Sequence, residues 1–324
     1  MSRKAVSVVD ENGVVDNNAV RRSWPFFKRL GWHFKHYWQN WLMILPAMVF
    51  VGLFAYVPMY GIQLAFRDFV PSKGLTGGAF VGFKYFVQFF TSPMFASTMI
   101  NTFKISLGTL VLGFLAPIVL ALLINQIGSQ KIKGFVQTIT YMPHFISTVV
   151  IVSMISIFLN PTSGFIGRFL NEGGKSILGD PNLFTPIYWI TEVWQHCGWN
   201  SIIYLAALAG VDTALYEAAK MDGASRLQLI RYVDLPTIMP TCVILLIMNM
   251  GSVLNVGFEK VWLMQNAMNM PGSEVISTYT YKIGIQSFQF SYGTAIGLFN
   301  TVINFAFLII ANWISKRVSD TSIF

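Results

Sequence analysis

Glu192, Gln195, His196 and Trp199 fall at i, i+3, i+4 and i+7 of one apolar stretch, and Asn249, Ser252 and Asn255 recur at every third position of another. On helices the first four share a face, and the last three lie within about 120° of arc. A carboxylate, amides, an imidazole, an indole and a hydroxyl set in this way suit the gripping of a polar solute. Aligned polar groups inside apolar segments line paths. The same groups also hydrogen-bond helix to helix, and residue type alone leaves both uses open.

Bond-breaking chemistry finds no support. His33, His36, His144 and His196 are too scattered for a metal cage, and no H-E-x-x-H occurs. "FLNEGGKS" (169–176) ends like a phosphate-binding loop, but that loop needs glycine where Phe169 stands. Cys197 and Cys242 lie in apolar runs and read as small buried thiols.

These residues must be positioned by membrane helices. The 324-residue chain is 54% hydrophobic and only 11% charged, against about 25% charged for a soluble domain. So few charges cannot coat a soluble globule. The apolar runs are continuous rather than alternating, which disfavours a barrel. The expected fold class is all-α integral membrane with six transmembrane helices, near 42–66, 98–124, 136–159, 187–210, 238–258 and 292–314. A span takes about 20 apolar residues. "YMPHF" (141–145) interrupts the third, and Pro117 and Pro143 are expected to bend their helices.

Orientation follows from Lys and Arg. Fourteen lie in the first 40 residues, the 125–135 and 211–237 loops and the tail, against eight on the other side, Lys260 and Lys282 among them. The richer face, with both termini, is expected in the cytoplasm. Residues 1–22 read as a polar N-terminus without a signal-peptide core. Residues 23–41 interleave bases with Phe27, Leu30, Phe34, Tyr37 and Trp41. That pattern gives an amphipathic helix lying in the lipid interface, not a nucleic-acid site. A permease domain at 42–314 and a tail at 315–324 complete the expected organisation.

Between the fourth and fifth spans lies "YEAAKMDGASRLQLIRYVDLPTIMP" (216–240), with six charged residues in 25 positions. Glu217 is expected to open a short helix, and Ala218 and Ala219 let another surface approach the backbone. Gly223 permits a sharp bend, and Leu235-Pro236 is expected to stop the second helix before the fifth span. The stretch reads as a small bent lever.

Here the chain resembles a family, the membrane subunits of ATP-binding-cassette importers. Their pattern E-A-A-x₃-G-x₉-I-x-L-P is matched by Glu217-Ala218-Ala219, Gly223, Val233, Leu235 and Pro236, with Val in place of Ile. Residues 141–147, 198–225 and 271–300 look like the carbohydrate-uptake branch, closest to permeases for complex oligosaccharides and polysaccharides. The resemblance implies the type I importer permease fold. It implies that loop 212–237 docks on a separate ATPase through Glu217, Ala218, Ala219 and Gly223, with Leu235 and Pro236 completing the motif. It further implies a second homologous permease, expected to be a different chain, two cytoplasmic ATPase subunits, an extracellular or periplasmic solute-binding protein and an oligosaccharide substrate. No cofactor is expected in this non-catalytic chain, since ATP and Mg would sit on the ATPase subunits. An ion-coupled secondary sugar transporter is the alternative. It would want inverted repeats and acids at mid-membrane, but the second half does not copy the first, and Glu192 is the only acid well inside an expected span.

Overall fold

The computed structural model describes residues 31, 32, 34–170 and 175–318. The N-terminus at 1–22, most of the expected interfacial helix, His33, residues 171–174 of the "FLNEGGKS" stretch and residues 319–324 of the tail lie outside this description. Among the described residues, four helices are long and apolar enough to cross a bilayer, and two sharply bent pairs make six if each pair is one span.

The chain divides into two compact units, Met1–Ile62 and Gln63–Phe324. The boundary falls inside the expected 42–314 domain, because helix α1 (Trp38–Phe66) buries nothing in its most apolar stretch. A helix apolar all round needs lipid or another chain against it. In the first unit the rings of Phe34 and Trp41 stack at 4.2 Å.

The second unit begins its helices with clear start signals. α2 (Lys84–Thr91) is followed by Ser92, whose Oγ accepts from the Met94 N–H, and by Pro93 as first residue of α3 (Pro93–Asn125). α3 runs unbroken through Pro117. The third expected span is in fact two helices, α4 (Gln130–Tyr141) and α5 (Thr148–Phe158), joined at 96° through a tight turn over "MPHF". Pro143 lacks an N–H and disfavours helix in the residue before it. After α6 (Phe165–Leu170), Asp180 caps α7 (Pro181–Ala209), its Oδ1 2.8 Å from the Asn182 N–H.

α7 turns through 75° into α8 (Thr213–Met221). α9 (Arg226–Met250) is continuous past Leu235-Pro236, contrary to the expected stop. A widened turn over Ile230–Asp234 precedes Pro236, which sits in the first turn of the following regular helix. The widened turn, closed by the Leu235 N–H on the Ile230 carbonyl, makes room for the proline ring, so the chain need not break. At the other end α9 stops at Met250 rather than 258, and turns lead to α10 (Phe258–Met264). α11 (Ile276–Tyr281) and α12 (Phe290–Val318) complete the unit.

Three apolar clusters hold these helices. Ile118, Leu122, Tyr204, Leu208, Ile238 and Cys242 join α3, α7 and α9. Ile105, Phe184, Tyr188, Val261 and Val275 join α3 and α7 to the segments after α9. Phe89, Ile276, Tyr292 and Ile296 join α2, α11 and α12. α4 approaches α7 so closely that a Cβ on Gly198 would lie 2.0 Å from the Thr140 carbonyl oxygen. Backbone cannot swing aside as a side chain does, so Gly198→Ala should destabilise by about 1–3 kcal/mol. Thermal unfolding of the purified chain in mild detergent checks this. Gly52→Ala, where a Cβ meets nothing within 4 Å, should show no such loss.

Candidate functional site: a polar cleft and a bent lever

α3, α7 and the segment that follows α9 enclose a cleft of about 320 Å³. Ser106, Thr109 and Gly113 come from α3; Tyr188, Glu192, His196 and Asn200 come from α7; Asn249, Ser252 and Asn255 come from the third wall. The two polar sets read from the sequence thus meet across one space. They are not two regular helical faces, however. Ser252 and Asn255 lie beyond the end of α9, in successive turns closed by Ser252 N–H to Asn249 O (3.2 Å) and Asn255 N–H to Ser252 O (2.9 Å).

Gln195 and Trp199 do not line the cleft. They face the broken third span: Gln195 Nε2 donates to the Ile146 carbonyl (3.3 Å), and Trp199 stacks on His144, 4.6 Å apart with planes 3° from parallel. The open carbonyls and ring at the 142–147 break give α7 partners on that side. The cleft-facing stripe is therefore 188, 192, 196 and 200.

Glu192 is the charged centre. Its Oε2 accepts from Lys260 Nζ at 2.7 Å, and its Oε1 lies 3.4 Å from His196 Nε2. Lys260 is only 3% exposed and stands over the Tyr188 ring at 5.0 Å. The charge count scored Lys260 with the side poorer in Lys and Arg and its margins. In the structure α10 folds back into the bundle, and its lysine neutralises the one acid of α7. Lys282 is likewise drawn inward, to Glu274. His196 Nδ1 is 3.1 Å from His144 Nδ1, so one ring donates and the other accepts. Lys260, Glu192, His196 and His144 form one continuous polar chain, of which Glu192 and His196 line the cleft.

The two asparagines differ. Asn255 Oδ1 accepts from the Asn300 and Asn304 side chains, both at 3.1 Å. It knits α12 to the wall. Asn249 makes no side-chain hydrogen bond with a described residue, and it opens onto the cleft. Ser106 and Thr109 carry buried hydroxyls without a hydrogen-bond partner among the described residues. Sequence reasoning passed over both, although a serine and a threonine three apart on an apolar helix were a signal.

The lever is the second feature. α8 starts at an Asp212 cap, Oδ1 to the Ala214 N–H at 2.9 Å, so Glu217 sits mid-helix and not in the first turn. Gly223 takes φ +77°, and the bonds Gly223 N–H to Lys220 O and Ala224 N–H to Ala219 O close the helix end. Ser225 and Gln228 then form a reciprocal cap that opens α9. Glu217, Ala218, Gly223 and Pro236 are exposed and Ala219 half-buried, while Leu235 packs into the α3–α7–α9 core. Leu235 therefore anchors the lever rather than facing outward. Two bare apolar side chains flank the bend, Met221 (88% exposed) and Leu227 (74%). Neither drew notice in the sequence.

A membrane-spanning helical bundle with a polar cleft between its spans, and an exposed bent lever at one end, is the membrane component of a solute transporter. Its relatives make that specific. The chain belongs to the family described as binding-protein-dependent transport system inner membrane component, whose model matches residues 113–320. It is 41% identical over 287 residues to the polygalacturonan/rhamnogalacturonan transport system permease protein YteP of Bacillus subtilis (strain 168), covering 88% of this chain and 89% of that protein. It is 38% identical to protein LplB of the same organism, covering 88% and 90%. Among solved structures it resembles a chain of a bacterial alginate ABC transporter in complex with an alginate pentasaccharide-bound periplasmic protein. The TM-score is 0.83 at 36% identity, covering 91% of this chain and 100% of the other. The fold is that of an ABC importer permease. Family membership sets aside the ion-coupled alternative.

Proposed function

We propose that this chain is the permease subunit of an ATP-driven importer that moves an oligosaccharide, or a sugar released from a polysaccharide, across a bacterial cytoplasmic membrane. The single observation that carries the reading is the cleft: Glu192, His196, Asn200, Asn249, Ser252 and Asn255 converge on one space inside an apolar bundle. Polar groups are costly inside a membrane, and where they line a shared space they mark a solute path. The named cargoes of the relatives, polygalacturonan/rhamnogalacturonan and alginate, support a saccharide. Both termini and the 212–237 loop lie in the cytoplasm, as the Lys and Arg distribution favours. There α8 and the Gly223 bend dock on ATPase subunits, one for this chain and one for a second, homologous permease. A solute-binding protein delivers the sugar from outside. ATP and Mg are held by the ATPase subunits, and this chain contributes no catalytic group.

The test is purification from the native membrane and reconstitution in liposomes with the binding protein and sugar. Uptake should need ATP inside and the binding protein outside. Uptake driven by an ion gradient alone, or a chain that brings no ATPase with it, would overturn the reading. Within the cleft, Asn249→Ala should raise the KM for uptake by about two- to tenfold, the weight of one hydrogen bond, with the melting temperature unchanged. Asn255→Ala should instead lower the melting temperature, because it strands the amides of Asn300 and Asn304.

A further inference from the structure

Asp234 is fully buried at the widened turn of α9, yet no ion pair to it occurs among the described residues. Hydrogen bonds alone hold its carboxylate. Oδ2 accepts from Gln126 Nε2 at 2.7 Å, and Oδ1 accepts from Asn125 Nδ2 at 3.2 Å and from the Tyr216 hydroxyl. Asn125 Nδ2 also lies 3.2 Å from the Tyr216 oxygen. Three elements therefore meet at one carboxylate: the C-terminal end of α3, the lever α8, and the start of the membrane-crossing part of α9. Burial, followed by the bond to Asp234, pushes the Tyr216 phenol up to about 12, so it stays a proton donor throughout the physiological range.

The lever otherwise hangs on pivots. It joins α7 through a 75° bend at residues 210–212 and α9 through the left-handed Gly223. A rod held only by flexible joints rocks when pushed and leaves the spans where they were. To pull them it needs a directional contact on its inner face. Tyr216 gives the only side-chain hydrogen bonds from α8 to another element among the described residues. Its neighbours Glu217 and Ala218 face outward. A hydrogen bond to a carboxylate out of water is among the stronger contacts available.

We infer that Tyr216 and Asp234 form a latch through which displacement of the lever is passed to α3 and α9, making both of them positioning residues for coupled transport. The inference rests on the reading of α8 as the ATPase contact. The latch lies behind that contact and touches neither the ATPase face nor the cleft.

The experiment uses the whole reconstituted transporter with its binding protein and sugar. Tyr216→Phe removes one oxygen and keeps the ring. The number of ATP molecules hydrolysed per sugar imported should rise, and the ratio of sugar-stimulated to unstimulated hydrolysis should fall, by about tenfold. The ATPase subunits should still co-purify. A merely structural role would change yield or melting temperature without moving either ratio. If Tyr216→Phe does not assemble, Gln126→Ala, which frees the other carboxylate oxygen from α3 alone, is read in the same way. Unchanged ratios in an assembled variant overturn the latch while leaving the importer reading intact. Absence of ATPase from the unaltered complex would instead overturn the importer reading.

Discussion

Gly223→Val is expected to abolish most coupled uptake while the chain still inserts in the membrane and assembles. The position has φ +77°, in the left-handed region, where a residue with a Cβ is strained by about 1–2 kcal/mol and a β-branched one by more. Space is not the obstacle, since a Cβ there meets nothing within 4 Å. The cost falls on the backbone. The chain relieves it by rotating out of the left-handed well, which breaks the two bonds that close α8 and re-aims Met221 and Leu227. An equilibrium shift of this size corresponds to about a 5- to 30-fold loss. Uptake and ATP hydrolysis measured together in liposomes should show hydrolysis no longer matched to import. Gly223→Asn, which tolerates positive φ, should recover much of the function. Normal uptake in the valine variant would remove the bend from the mechanism.

The second large effect is expected at the buried ion pair. Lys260→Met should destabilise by about 1.5–3 kcal/mol, because it takes the cation from the partly buried Glu192 carboxylate and leaves that charge on the cleft wall. Glu192→Gln should also be costly, leaving Lys260 (3% exposed) charged against an amide. The double variant Glu192→Gln/Lys260→Met removes both charges together and should regain most of the loss, since a buried pair often breaks even against neutral groups. Thermal unfolding of the four proteins closes a double-mutant cycle. Additive losses would show that the two groups do not depend on each other. Uptake gives an independent reading. Restored stability without restored transport would mark Glu192 as a group the sugar meets.

The lever and the cleft stand in different relations to the sequence. Asp212, Gly223 and Ser225 are local signals, because caps and left-handed turns are decided by residues within a few positions of one another. For that reason the bend was legible, although the helix start was misplaced by four residues. The expected stop at Leu235-Pro236 erred because the widened turn over Ile230–Asp234 accommodates the proline ring within a continuous helix. The run of Asn249, Ser252 and Asn255 was legible as polar but not as the end of a helix.

Sequence alone determined the class. So many apolar residues in long runs and so few charges admit only a helical membrane protein, and the E-A-A pattern with its glycine at fixed spacing marks the lever. Only the tertiary structure decided which polar groups share a space. Glu192 and Lys260 are 68 positions apart, Tyr216 and Asp234 18, and Asn255 and Asn304 49. No periodicity reports a contact between separate helices. Their meeting depends on the angle at which α10 turns back into the bundle, while Gln195 and Trp199 are taken up by Ile146 and His144 at the 142–147 break. Charge counting gave no sign of the Lys260–Glu192 pair for the same reason: it scores a residue by its neighbours in sequence, whereas burial and pairing are set by neighbours in space.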